Sequence, residues 1–250
     1  KKAKRSIVLV GWDFDASIVL GHPDVHDEAP SRVGDFLLWL ARQNPDLEIR
    51  LLLWNPGFLS AWSKASNFYY LMRWKWHRQI TVLLDGNHPI GSSHHQKILV
   101  IDDSVAFCGG IDVTLDRWDT RGHLDNDPMR RRPNGVAYGP WHDASSVCTG
   151  PAAKALGDLC RHRWMLAGGR PAAVVENPVD AVPVPGAFSF GRLELAIARS
   201  SPAHLDRPAV VEIEALYIAM IEAARHCIYA ESQYFASRKV AQAIAKRLAE

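Results

Sequence analysis

An α/β fold with a largely parallel sheet is what this sequence predicts. The apolar runs Ser6–Val10, Glu48–Trp54 and Ile80–Leu84 are each long enough for a buried strand and too short for a helix. Helix-length segments separate them, which requires crossover connections, right-handed by the chirality of the chain. Composition agrees: 250 residues with 48% hydrophobic and 22% charged side chains exclude disorder, collagen and coiled coil. A chain of this length buries roughly 70–75% of its unfolded surface and needs no staples to hold a core.

Each element has a local signal. The first strand, Ser6–Val10, ends at Gly11. Ser31 then opens a helical pattern that puts Val33, Phe36, Leu37 and Leu40 on one face and closes at Asn44-Pro45. The second strand stops at Asn55-Pro56-Gly57, and the aromatic stretch from Ser60 to Arg78 is compatible with a helix. The third strand ends at Asp85-Gly86. Two further apolar runs, Lys97–Ile101 and Val105–Cys108, flank Asp102-Asp103-Ser104 and read as a hairpin. Residues 114–151 are polar and loop-like, and Ala152–Leu166 forms a helix. After a stretch rich in Pro and Gly come a strand (Leu193–Ala198), a helix (Val211–Arg225), a strand (Cys227–Glu231) and a last helix from Ser237.

Charge excludes little. Lys and Arg number 29 against 27 Asp and Glu, a net +2, so nothing steers the chain strongly towards nucleic acid or an anionic membrane. No apolar run approaches the ~20 residues of a membrane span. Cys108, Cys148, Cys160 and Cys227 lack the close spacing of a zinc or redox motif and read as reduced thiols. With no signal peptide, the expectation is a cytoplasmic protein or one peripheral to a membrane. The chain begins at Lys1 and ends in an uncapped helical pattern over Val240–Glu250, so both ends read as cut.

A weak internal echo bears on organisation. Ala3-Lys4-Arg5-Ser6-Ile7, followed by WDFD, matches Ala224-Arg225-His226-Cys227-Ile228, followed by SQYF, at an offset of 221 residues. Two copies of one α/β unit account for it. The expected domains are a first half over residues 1–167, a Pro/Gly-rich linker over 168–189, and the beginning of a second half over 190–250.

The densest reactive cluster is Ser93-His94-His95-Gln96-Lys97. On a strand, His95 and Lys97 share a face and His94 points away. An imidazole beside an ammonium repels a metal cation but suits a phosphate: Lys97 holds the oxyanion, and His95 attacks phosphorus or moves a proton. Gly109-Gly110 ends the next run without side chains, permitting close approach of a ligand. Asp102 lies seven residues from His95, an odd separation. Alternation therefore puts it on the other face or in the turn, as an orienting or structural carboxylate.

His95-Gln96-Lys97-ILVI-Asp102, with Gly109-Gly110 following, resembles the HKD motif of the phospholipase D superfamily. Gly109-Gly110-Ile111-Asp112 with Arg117-Trp118-Asp119-Thr120 is similar to the GGID…RWD segment of its phosphatidylcholine-cleaving branch. Trp141-His142-Asp143, Gly150-Pro151-Ala152-Ala153 and Arg163-Trp164 resemble that branch's WHD…GPAA…RW region. Ala230–Phe235 resembles its ENQYF segment. The resemblance implies an α/β/α sandwich of the phospholipase D/nuclease type, the first half complete and the start of a second tandem half. It implies a phosphodiesterase hydrolysing or transphosphatidylating glycerophospholipids through a phosphohistidine, giving phosphatidic acid. His95 would be the nucleophile and Lys97 the holder of the phosphate oxygens, with Asp102 completing the catalytic motif. Gly109, Gly110, Asp112, Asp119, His142, Asp143 and Trp12 would bind or orient substrate, with Asp119 the first candidate to orient His95 and Asp143 the second. Gly110 and Asp112 lean towards lipid over nucleic acid.

The resemblance also implies no cofactor and no metal in the centre. It implies a phospholipid substrate at a membrane surface, and a second HKD motif, supplied by the remainder of a longer chain or by a second subunit. The 221-residue offset puts that second histidine near residue 316, and no other H-x-K occurs here. On this reading the 250 residues alone lack phosphodiesterase turnover. A cardiolipin synthase-like phosphatidyltransferase, a nuclease and a non-catalytic lipid- or phosphate-binding half remain alternatives.

Four other features stand outside the motif. Trp12 and Asp13 follow the first strand, where open α/β sheets place ligands. His22, Asp24, His26, Asp27 and Glu28 form a polar loop that reads as solvated more than as a cation site. Arg130-Arg131-Arg132 is either a headgroup patch or a solvated run. The aromatics between Trp54 and Trp76 read mostly as core, with a few free to meet lipid.

Overall fold

The computed structural model describes residues 2–20, 28–55, 65–175, 187–191 and 193–249. Phe58, Trp62 and the polar loop from His22 to Asp27 lie outside the described residues, as does much of the expected linker. The described residues of 1–87 and 93–189 form one compact unit, and those of 88–92 and 190–250 another.

The first unit is an α/β/α sandwich. Its strands are β1 (Ser6–Gly11), β2 (Glu48–Trp54), β3 (Ile80–Asp85), β4 (Ile98–Ile101), β5 (Val105–Gly109) and β6 (Ser145–Thr149). They form one sheet in the order β3-β2-β1-β4-β5-β6. β1, β2 and β3 are parallel, as the crossover pattern predicts. The largely parallel sheet expected is corrected on the other side: β4, β5 and β6 each pair antiparallel with their neighbour. The β4–β5 connection is too short to permit anything else.

Alternation along the strands sorts two cores. Ile7, Leu9, Ile49 and Leu51 face α1 (Val33–Gln43) and α2 (Ala65–Trp74), packing with Leu37, Leu40, Tyr70 and Trp74. Val8, Val10, Leu52, Ile98, Val100 and Ala106 face α3 (Pro151–Leu166), packing with Leu156, Cys160 and Trp164. Every residue of β1 is buried, as a central strand covered on both faces must be. Gly34 on α1 has no Cβ because the Tyr70 ring lies against it. The Tyr70 hydroxyl donates to Asp35, and burial together with that carboxylate pushes the phenol pKa up to about 12.

β6 runs through a stretch read as loop. Its sequence, SSVCT, shows no apolar alternation because it is an edge strand with mostly exposed or half-buried side chains. The four cysteines are free thiols, and burial pushes that of Cys160 up to about 12.

The hairpin between β4 and β5 turns on Asp102 and Asp103, both with positive φ (51° and 49°), and Ser104 N–H donates to the Ile101 carbonyl at 3.0 Å. Aspartate tolerates this left-handed geometry better than most residues. The Asp102 carboxylate accepts the backbone N–H groups of Lys4 (2.6 Å), Arg5 (2.8 Å) and Ser6 (2.7 Å), the start of β1.

In the second unit, β7 (Ser200–Ser201) pairs antiparallel with β8 (Val210–Val211), and α4 (Glu212–Ala223) packs on α5 (Arg238–Ala249). Lys239 Nζ meets Glu214 Oε1 at 2.6 Å, and Arg247 donates to the Ala224 carbonyl. The strands expected at Leu193–Ala198 and Cys227–Glu231 do not form. A strand is defined by a hydrogen-bonded neighbour, and among the described residues of this unit β7 and β8 are the only strands that pair, beside an isolated bridge between His204 and Arg207. Leu193, Leu195 and Tyr229 are accordingly exposed. No helix among the described residues is long and apolar enough to cross a membrane.

Asp102→Ala is expected to destabilise the chain by about 2–4 kcal/mol, since it strips three N–H groups of their acceptor and one of them, on Ser6, is buried. Asp102→Asn, which keeps an acceptor, costs less. Urea denaturation followed by circular dichroism measures both, and equal stability of Ala and wild type would contradict the assignment.

Candidate active site

Strand directions gather the chemistry at one edge of the sheet. β5 runs parallel to β1, while β4 and β6 run opposite. The ends of β1, β2, β3 and β5 and the beginnings of β4 and β6 therefore share an edge. Trp12, Trp54, Asp85, His95 to Lys97, Gly109 to Asp112 and Asp143 all follow or precede those strand ends. This is the edge at which α/β sheets hold ligands.

Lys97 and Asp112 form its centre. The Lys97 ammonium lies 3.1 Å from Asp112 Oδ2, with both side chains almost wholly buried. Asp112 Oδ1 accepts the N–H groups of Trp12 (3.0 Å) and Asp13 (3.1 Å). Lys97 also donates to the His95 carbonyl at 3.2 Å and lies 5.7 Å from the Trp12 ring centroid. The His95 ring meets the Trp12 indole edge-on at 5.4 Å, and Trp12 stacks on Trp54 at 5.6 Å. Burial and then the Lys97 charge lower the His95 pKa below its usual value, against the pull of Asp112 and Asp143. Its imidazole is thus neutral at neutral pH.

Glycine is needed at both positions of the pair for space. A Cβ on Gly109 would strike Ser145 and the Ala144 carbonyl, and one on Gly110 would strike the Asp143 carboxylate. Gly110 N–H donates to the Ala144 carbonyl at 3.0 Å, which holds Asp143 beside the strand end.

The structure brings together Trp12, His95, Lys97, Gly109, Gly110, Asp112 and Asp143. It does not bring Asp102 or Asp119 to them. Asp102 lies at the opposite end of β4, bonded to the start of β1, so its grouping with His95 and Lys97 is corrected to a structural task, the one its odd spacing suggested. Asp119, the first candidate to orient His95, is instead the hub of the loop after β5. It accepts from Thr120 N–H, Trp141 N–H, Arg130 and the His123 ring. Burial opposes ionisation there, but the N–H groups of Trp141 and Thr120 and the Arg130 guanidinium bring the pKa down to about 2. His142 contacts His123 in that same cluster. Of the two candidates, Asp143 is the one whose field reaches His95, alongside that of Asp112.

The three-arginine run is also resolved by its partners. Arg130 is fully buried, bonded to Asp119 and to the Leu124 and Asp125 carbonyls. Arg132 pairs with Asp116, and Arg131 donates to the Pro128 and Gly135 carbonyls. The run braces a loop and is not a free basic patch.

A second network was not apparent from spacing. Arg163 on α3 donates to Asp85 at 2.6 Å and to the Gln96 side chain, and His94 Nε2 lies 3.3 Å from Asp85. The side chains flanking His95 are thereby held from two elements. Burial would raise the Asp85 pKa, but the His94 and Arg163 hydrogen bonds carry it well below the carboxylate range. The R-W dipeptide at Arg163-Trp164 was visible in the sequence; its partner at the end of β3 was not.

No protein-family model matches the chain. Among curated proteins it is 26% identical over 193 residues to Phospholipase D B of Dictyostelium discoideum, covering 66% of this chain and 16% of that one. It is 31% identical over 157 residues to Phospholipase D1 of Mus musculus, covering 58% and 14%. To Phospholipase D alpha 1 of Carica papaya it is 26% identical over 274 aligned residues, covering 92% and 32%. The chain thus spans less than a third of the length of each of these relatives. Superposition on Nuc from Salmonella typhimurium, a phospholipase D family member, gives a TM-score of 0.38 at 15% identity, covering 68% of this chain and 84% of that one. The curated relatives that match at 23–31% identity are named phospholipase D, a similarity that supports a place for the chain in the phospholipase D superfamily.

Proposed function

We propose that this chain carries the nucleophilic half of a phospholipase D-type phosphodiesterase acting on glycerophospholipids. The observation that carries the reading is the juxtaposition of His95, its pKa lowered, with the buried Lys97–Asp112 pair at the open edge of the sheet. A phosphodiester seated there accepts a hydrogen bond from Lys97, the phosphate-facing donor. Asp112 keeps that ammonium in place and limits its excess charge.

The chemistry then takes two displacements. An imidazole nitrogen of His95 attacks phosphorus: the N–P bond forms, the P–O bond to the headgroup breaks, and the departing oxygen takes a proton from a general acid. Water next gives a proton to that same group, now a base, and attacks the phosphohistidine; the O–P bond forms, the N–P bond breaks, and phosphatidic acid leaves. An alcohol in place of water gives transphosphatidylation. Asp143, close enough to raise the His95 pKa, stabilises positive charge on the ring as the first bond forms. The general acid is assigned to a second H-x-K, contributed by the remainder of a longer chain or by a second subunit, and the partner surface to a membrane.

Only neutral His95 attacks, so the first displacement accelerates as pH rises through the lowered pKa and levels off before neutrality. Imidazole NMR titration of this chain is expected to place the His95 pKa below 6.5. It should rise in Lys97→Met, which removes a repelling charge, and fall further in Asp143→Asn. An unmoved pKa in both variants would contradict the electrostatics.

In the natural full-length protein, rapid acid quench during turnover of phosphorus-labelled phosphatidylcholine, followed by neutralised digestion, should find label on His95 as a phosphoramidate. His95→Asn should abolish that label and lower turnover by at least about a thousandfold. Undiminished turnover in His95→Asn would sink the proposal.

A further inference from the structure

No regular element carries His95. Residues 92–97 lie outside any helix or strand, and β4 begins only at Ile98. The residues before them, 88–92, group with the second unit, so the chain re-enters the first unit at Ser93 without a ladder to guide it. A reacting side chain on such a segment keeps its geometry only if its neighbours are locked by hydrogen bonds of their own. Lys97, on one side, is held by Asp112.

The immediate neighbours, His94 and Gln96, are held by two almost wholly buried charges, Asp85 at the end of β3 and Arg163 on α3. The guanidinium forks: Nη2 donates to Asp85 Oδ2 at 2.6 Å, and Nη1 donates to Gln96 Oε1. Asp85 Oδ1 accepts Asn87 N–H at 3.0 Å and meets His94 Nε2 at 3.3 Å. Asn87 Nδ2 in turn donates to the Leu166 carbonyl at 2.9 Å, which fastens the same stretch to the end of α3. One carboxylate and one guanidinium thus grip the chain where it leaves β3 and again on both sides of His95, whose own ring meets Trp12. For stability alone a buried ion pair is a poor device, since an apolar pair of similar volume serves as well. What this one adds is direction: a planar fork fixes two acceptors at once, which the single ammonium of a lysine does not.

We propose that Arg163 and Asp85 are positioning residues for the nucleophile, clamping His94 and Gln96 so that the His95 imidazole is held at attacking distance from phosphorus. The inference rests on the reading given under Proposed function and adds residues that touch neither substrate nor the reacting nitrogen. They act through where they place the segment between β3 and β4.

Headgroup release from a short-chain phosphatidylcholine reads the first displacement directly, in single turnover with the natural full-length protein in saturating excess. At saturation a partly unfolded population leaves the limiting rate unchanged, so that rate separates positioning from stability. Gln96→Leu, which removes the acceptor, and Arg163→Lys, which keeps the charge but loses the fork, should each lower it about tenfold or more, as displacing a nucleophile by a fraction of an ångström does. Gln96→Glu restores an acceptor and should stay within about threefold of wild type. Gln96 is only half-buried, so its variants keep the test if Arg163→Lys does not fold. A limiting rate in Gln96→Leu within about threefold of wild type, or a loss as large in Gln96→Glu, overturns the assignment. A wild-type rate undiminished in His95→Asn overturns the reading under Proposed function instead. The clamp is then decided by NMR on this chain: backbone order parameters of His94 to Gln96, about 0.85 in wild type, should fall below about 0.6 in Gln96→Leu, and unchanged values overturn it.

Discussion

The ion pair between Lys97 and Asp112 is the constraint around which the candidate site is arranged. An ammonium this deeply buried is not tolerated without a carboxylate, and leaving either charge alone costs roughly 3–5 kcal/mol. The pair also spends its hydrogen bonds across the fold. Asp112 follows β5, Lys97 precedes β4, and the two N–H groups on Asp112 belong to the chain leaving β1. One contact therefore ties three strand ends together and turns Trp12 towards the His95 ring. Among the described residues, Asp112 and the His95 carbonyl occupy two of the three Lys97 donors, which leaves one for the phosphate oxygen of the proposed reaction.

How much of this was legible follows from where the information lies. The strands β1 to β5 were readable because burial on two faces demands continuous apolar runs; the H-x-K pair was readable from its residue types and close spacing, although both residues stand just before β4 and not on it. β6 was not, since an edge strand with exposed side chains carries no such demand. The choice between Asp119 and Asp143 could not be made either: both follow the motif in a polar stretch, and only the fold shows one satisfied by four donors and the other beside Gly110. Arg130 misled for the same reason, as a run of three arginines has no local mark for the one that is wholly buried. In the second unit, strand-like sequence at Leu193–Ala198 lacks a ladder partner among the described residues, and propensity does not replace one.

The loop after β5 illustrates how charge pairing does the work of a hydrophobic core. Its residues are mostly exposed, yet Asp119 and Arg130 at its centre are shielded, and around them hang Trp141, His123 and the carbonyls of Leu124 and Asp125. A loop built this way keeps a defined shape while presenting apolar side chains such as Ile111, Trp118 and Met129 outward.

The H-x-K-x4-D motif then has a simple physical division of labour. A short antiparallel strand separates its two ends: His95 and Lys97 stand at the edge where substrate is expected, and Asp102 at the edge where β1 begins. Asp102 binds the N–H groups that open β1, and Asp112 binds those that follow its end. β1 is thus fastened at both ends by carboxylates, one in the turn of the β4–β5 hairpin and one after its end, which fits its register against β4, Val10 opposite Ile98. Trp12, two residues beyond Val10, inherits its position over His95 from that register. A carboxylate far from the chemistry can in this way be as necessary to the site as the residues that touch substrate, acting through where it places a strand and not through a proton of its own.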